Sequence, residues 1–123
     1  MPNYVLSHEA EIDIVGISEY IAERNVTAAI KMLDRIQEAC QMLADNPNVG
    51  EIRKGFGIPG CRSFTVSRYV VFFRPNSNGI DVARILDASR DLGFLYQNAS
   101  DNEKDHSRRA RTDGPTKAGG SRR

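Results

Sequence analysis

From the amino terminus the chain opens with a short apolar run, Tyr4-Val-Leu-Ser7, whose serine is suited to accept a hydrogen bond from the free amides of a helix start. This predicts a strand feeding a helix. From His8 to Arg24 the apolar residues Ala10, Ile14, Ile17 and Ile21 recur at spacings of four, three and four, which sets them on one helical face. Glu9, Glu11, Asp13, Glu19 and Glu23 mostly fall elsewhere on that helix, toward water, and the early acids suit its N-terminus. Asn25 reads as a left-handed stop. A second helix is predicted from about Thr27 to Asp45, with Ala29, Leu33, Ile36, Cys40 and Leu43 forming its stripe. The short Asn25-Val26 connection makes the two helices an antiparallel hairpin, which Pro47 and Gly50 close.

After the irregular stretch Gly55-Phe-Gly-Ile-Pro-Gly60, the period changes from helical to strand-like. Phe64 and Val66 alternate with Ser63 and Thr65, and Tyr69-Val-Val-Phe-Phe73 is apolar throughout, as in a central strand covered on both faces. Pro75 to Gly79 supplies turn chemistry, with Asn78-Gly79 suited to positive φ. The last strand, Ile80 to Leu86, switches its apolar parity between Val82 and Ala83 or Ile85. That switch implies either two buried faces or a bulge near Arg84. A short helix is expected over about Arg90 to Tyr96. The expected class is α+β: an N-terminal strand, an antiparallel αα hairpin on a three- to four-stranded antiparallel sheet, and a short C-terminal helix.

Composition adds a boundary. Residues 99–123 contain alanine as their only apolar type, so they cannot bury enough surface to offset ordering entropy, and a disordered tail is expected after a domain at 1–98. Residues 1–100 carry 10 Lys/Arg and 12 Asp/Glu while 101–123 carry 7 and 4, so the domain is near −2 and the tail near +3. Such a basic tail reads either as an inert solvated end or as a source of weak, salt-dependent contact with nucleic acid. No apolar run approaches the roughly 18 residues of a membrane span, and the opening MPNYVLSHEAEID lacks the basic and apolar regions of a secretory signal. A cytoplasmic location without membrane contact is expected. Cys40 and Cys61 fall on a helix face and at a strand start, as small apolar side chains would in a reducing compartment.

Taken together in order and spacing, the Tyr-x-Leu-Ser opening, Leu43-Ala44…Pro47…Gly50, Arg62-x-Phe64, the Arg68-Tyr-Val-Val-Phe-Phe73 strand and the closing Arg90-Asp91 resemble the RelE/ParE superfamily of bacterial toxins from type II toxin–antitoxin pairs. The resemblance runs from Tyr4 to about Leu95 and is nearer the ParE branch. It implies a toxin without catalytic residues that binds DNA gyrase or a related topoisomerase and is silenced by a ParD-like antitoxin. The RelE branch implies the alternative, a ribosome-dependent messenger endoribonuclease. Its chemistry needs cations converging on one phosphate. Laid along this chain, three of its basic positions fall at Ser63, Thr65 and Val70, none of them basic; Arg90 and Tyr96 stand near two others.

The candidate partner-binding residues are therefore Arg62, Arg68, Arg74, Arg84, Arg90 and Asp91. Arg62 shares parity with Phe64 and Val66, so it needs a carbonyl or a carboxylate, Asp87 or Asp91, as its partner. Arg68, Arg74 and Arg84 read either as ion-paired side chains or as a basic edge for a partner, and Arg90-Asp91 either as a helix cap or as an interface. His8 and His106 stand far apart with no metal-ligand spacing, and Gly55–Gly60 lacks the basic residue and glycine spacing of a phosphate loop. No metal or cofactor is expected.

Overall fold

The computed structural model describes residues 2–91; the tail at 99–123, and the expected terminal helix from Leu92 onward, lie outside them. Strand β1 (Asn3–Leu6) ends at Ser7, whose Oγ accepts from the Ala10 amide at 3.0 Å and so caps helix α1 (His8–Ala22). Helix α2 (Val26–Asp45) starts in the same way, with Asn25 Oδ1 accepting from the Ala28 amide at 3.0 Å. This corrects the expected left-handed stop: Asn25 has φ −161, an extended cap that serves the following helix. Ala10, Ile17, Ala29, Ile36, Cys40 and Leu43 of the two stripes are buried, which is why two amphipathic helices pack as a hairpin on one sheet face.

The sheet holds β1, β2 (Glu51–Ile52), β3 (Arg62–Val66), β4 (Tyr69–Asn76) and β5 (Gly79–Asp87) in the order β1-β5-β4-β3-β2. The class is α+β as expected, but the sheet has five strands and is mixed, because β1 runs parallel to β5. The helical hairpin crosses the sheet face between β1 and β2, so the chain re-enters at the opposite edge and β1 is left beside β5. β2 has two exposed residues and no alternation that sequence could show.

Strand β4 is covered on both faces, as its unbroken apolar run requires. Tyr69, Val71 and Phe73 join the helix-side core, while Val70 and Phe72 join Cys61 and Leu86 under Phe56 and Ile58 of the glycine-rich loop. The Phe56 and Phe72 rings lie 5.2 Å apart between centroids. In the β4–β5 register Phe72 faces Arg84 and Phe73 faces Val82, so Ala83 is an inserted residue. The parity switch in β5 is this bulge. At the other end Gly79 has φ 133 and lies opposite Asn3; a Cβ there would run into the Asn3 backbone, so only glycine fits.

Candidate functional site

Strand β1 stops opposite Val82, so β5 from Ala83 onward has one edge without a strand partner. Side chains of the first helix region take over there. Ser7 Oγ donates to the Ala83 carbonyl at 2.8 Å, and Asp13 Oδ2 accepts from the Ile85 amide at 2.9 Å. Asp13 also takes a two-pronged bond from Arg84, Nε to Oδ2 at 2.8 Å and Nη2 to Oδ1 at 2.9 Å. The expectation that Asp13 points into water is thereby corrected. It lies one helical turn from Ala10 and Ile17, so its carboxylate is carried to the sheet edge, where an unpaired amide and a guanidinium need an acceptor.

Beyond that pair a second carboxylate, Asp87, sits buried at the end of β5. Its Oδ1 accepts from the Ser89 amide at 2.8 Å and the Arg90 amide at 3.2 Å, while its Oδ2 lies 2.8 Å from Arg68 Nη2 and 3.7 Å from Arg90 Nε. Burial alone would push this carboxyl up, but the Ser89 amide, Arg68 and the Arg90 amide together hold it below the usual carboxylate range. Asp91 closes the turn, its Oδ2 accepting from the Asp87 amide at 2.9 Å and its own amide donating to the Asp87 carbonyl at 2.7 Å.

Both arginines around Asp87 lie on tyrosine faces. The Arg68 guanidinium is 5.9 Å from the Tyr69 ring centroid, and that of Arg90 is 4.7 Å from the Tyr20 centroid. Arg68 is presented by the β3–β4 turn, in which Ser67 takes φ 59, the positive first-corner angle of a tight hairpin. Burial raises the Tyr69 hydroxyl above its ordinary value, so it stays protonated. A cleft of about 170 Å³ runs beside this cluster, bounded by Ile12, Asp13 and Gly16 on α1 and by Arg84, Asp87, Arg90 and Asp91 on the other side.

Four candidates, Arg68, Arg84, Arg90 and Asp91, thus meet at one end of the sheet, and two do not. Arg62 Nη1 donates to the Asn48 and Gly50 carbonyls at 3.1 and 3.4 Å, tying down the chain that follows α2. It pairs with carbonyls and with neither Asp87 nor Asp91, because β3 begins where β4 ends, at the opposite end of the sheet. Arg74 makes a cross-strand pair with Asp81 there, 3.4 Å long and exposed. Sequence reasoning missed Asp13, Tyr20 and Gly16, and saw Asp87 only as a partner for Arg62. A polar residue inside an apolar helical stripe and an aspartate ending an apolar strand were the available signals. Among the described residues no cluster of His, Cys, Asp and Glu could hold a metal, and no helix is long and apolar enough to cross a membrane.

A family model described as ParE toxin of type II toxin-antitoxin system, parDE, matches residues 4–92. A solved structure from P. aeruginosa, titled as a chromosomal ParDE TA system, is similar with a TM-score of 0.57 and 23% identity, covering 69% of this chain and 94% of that one. No curated protein matches the chain. The family match takes in both helices, the whole sheet and the Asp87 turn, well over half of the sequence: the chain belongs to the ParE toxin family of type II toxin–antitoxin systems.

Proposed function

We propose that this toxin inhibits DNA gyrase, or a related topoisomerase, through protein contacts, and that a ParD-like antitoxin neutralises it. The observation that carries the reading is the chemistry of the three positions where a messenger-cutting relative would be basic. They are Ser63, Thr65 and Val70; Ser63 is buried and its Oγ accepts from Arg53 Nε at 2.8 Å, and Val70 is buried under Phe56 and Ile58 of the glycine-rich loop. The arginines at the Asp87 end of the sheet are held by Asp13 and Asp87, so they do not converge on a shared empty point as phosphate chemistry demands. What the surface offers is apolar area on the outer sides of the helix hairpin, at Ile12, Val15, Val26 and Ile30. Exposed aliphatic residues on helices suit an antitoxin helix laid across them.

The test is supercoiling by gyrase in the presence of the purified full chain. Loss of supercoiling with accumulation of cleaved DNA–gyrase complex is expected, and addition of a cognate ParD-like antitoxin should restore activity. Unimpaired supercoiling at concentrations that stop growth in cells would overturn the reading.

A further inference from the structure

The sheet ends in two edges that are protected unequally. On one side β2 is two residues long, contains Glu51 and is followed by Arg53 and Lys54, and such shortness and charge discourage a further strand. On the other side β1, Asn3-Tyr-Val-Leu6, carries no charge, proline or bulge. The Asn3 and Ser7 amides donate to the Asn78 and Val82 carbonyls beside β5, so by alternation the N–H and C=O groups of Tyr4 and Leu6 point away from the sheet. Among the described residues nothing meets those four groups. Tyr4 and Leu6 pack their side chains on the helix-side core, which leaves Val5, 59% exposed, on the opposite face.

We infer that β1 pairs with β1 of a second copy of this chain, antiparallel about a two-fold axis at Val5. In that register Tyr4 of each copy lies opposite Leu6 of the other, the two exchange N–H···O bonds, and all four outward groups of each strand are used. The ends of the strand fix the register. Pro2 has no N–H and its carbonyl already accepts from Gln41 Nε2 at 3.2 Å, while α1 starts at His8. A shift by two residues would set Leu6 opposite Pro2 or Tyr4 opposite His8, and neither can complete the exchange. The fit selects a second copy over a foreign strand, because the strand that completes it must be uncharged, place two pairing residues around one and stop at both ends, as β1 itself does. Val5 then meets Val5 in the narrow, non-hydrogen-bonded pair, where β-branched side chains pack well. Four residues a side bury far less than the roughly 1,600 Å² of a standard interface, so the association is weak and forms at high local concentration.

Sedimentation equilibrium of the full chain over roughly 10 μM to 1 mM tests it, together with oxidative cross-linking of single-cysteine substitutions. A dimer that grows with concentration is expected. Val5→Lys should raise its dissociation constant about fivefold or more, since like charges then meet at the axis, and an equimolar mixture of Val5→Lys and Val5→Glu chains should recover the association. Oxidised Val5→Cys should cross-link, because residues opposed in a narrow pair lie about 4.5 Å apart between Cα atoms. Asn3→Cys should not, its two copies standing roughly 13 Å apart along the strands. Cys40 and Cys61 are buried and give no background. Thermal unfolding of each variant shows that the fold is intact. A chain that stays monomeric throughout, association unchanged by Val5→Lys, or equal cross-linking at both positions would overturn the proposal. Protection of the Tyr4 and Leu6 amides from hydrogen exchange only once a ParD-like antitoxin is added would also overturn it, and would give the edge to the antitoxin. Gyrase inhibition is read separately, so the toxin reading stands or falls on its own.

Discussion

Arg68 stands just before β4 and Arg74 near its end, and each pairs with an aspartate of β5, yet the two pairs differ in kind. Asp87, paired with Arg68 at 2.8 Å, has a side chain 1% exposed and also accepts two backbone amides. Asp81, paired with Arg74 at 3.4 Å, is 40% exposed and takes its other bond from the exposed Asn76 side chain. The same residue types, one pair directly opposite across the strands and the other one residue out of register, form a fixed cluster at one end of the sheet and a solvated contact at the other. The difference comes from what lies over each end. Helix α1 covers β5 where β1 has stopped, adding Asp13 and Tyr20, while residues 76–78 of the β4–β5 turn are exposed to water.

The comparison is broken most strongly through Asp13. Asp13→Ala removes the acceptor of the Ile85 amide and a two-pronged bond of the Arg84 guanidinium together, and it should cost about 2–3 kcal/mol of stability in denaturant unfolding. Asp87→Asn comes next, at about 1–2 kcal/mol near neutral pH, since the amide keeps the shape and one acceptor but loses the charge. Because the folded Asp87 carboxyl titrates below its ordinary value, its contribution is fully present above the unfolded value and is lost as pH falls through the lower, folded one. The stability gap between wild type and Asp87→Asn should therefore narrow in unfolding curves taken below about pH 4. Asp81→Ala at the open end should change stability by no more than about 0.5 kcal/mol, as exposed pairs do.

A further expectation separates buried cysteines from reactive ones. Burial pushes the Cys40 thiol up to about 11 and raises that of Cys61 as well, against the pull of Arg53. Neither should react with an alkylating reagent at neutral pH until the chain is unfolded, as mass spectrometry of the labelled protein would show.

Much of the fold was legible because burial writes a period into the chain. The stripes of α1 and α2, the unbroken apolar β4 and the parity switch in β5 each report which faces are covered, and the last of these allowed either two buried faces or a bulge near Arg84, the register placing the bulge at Ala83. The parallel β1–β5 pairing was not legible, since it follows from the path of the helical hairpin and not from any local pattern. Nor was the short β2. At the site, Arg68, Arg84, Arg90 and Asp91 stood out as charged residues in or beside strands. Which aspartate each arginine meets is decided by register: Tyr69 opposite Asp87 fixes one pair and Arg74 opposite Asp81 the other, while Arg62 falls too far from both Asp87 and Asp91. Asp13 was hidden because a carboxylate on an amphipathic helix reads as solvated unless the sheet edge beneath it is known.

The most direct test of the central claim, that this ParE-family chain acts by binding and not by cutting, is a paired assay on one purified sample. Gyrase is scored for trapped cleavage complex, and messenger is scored for integrity in a translating extract. The account predicts trapped gyrase with intact messenger; cut messenger with working gyrase would contradict it.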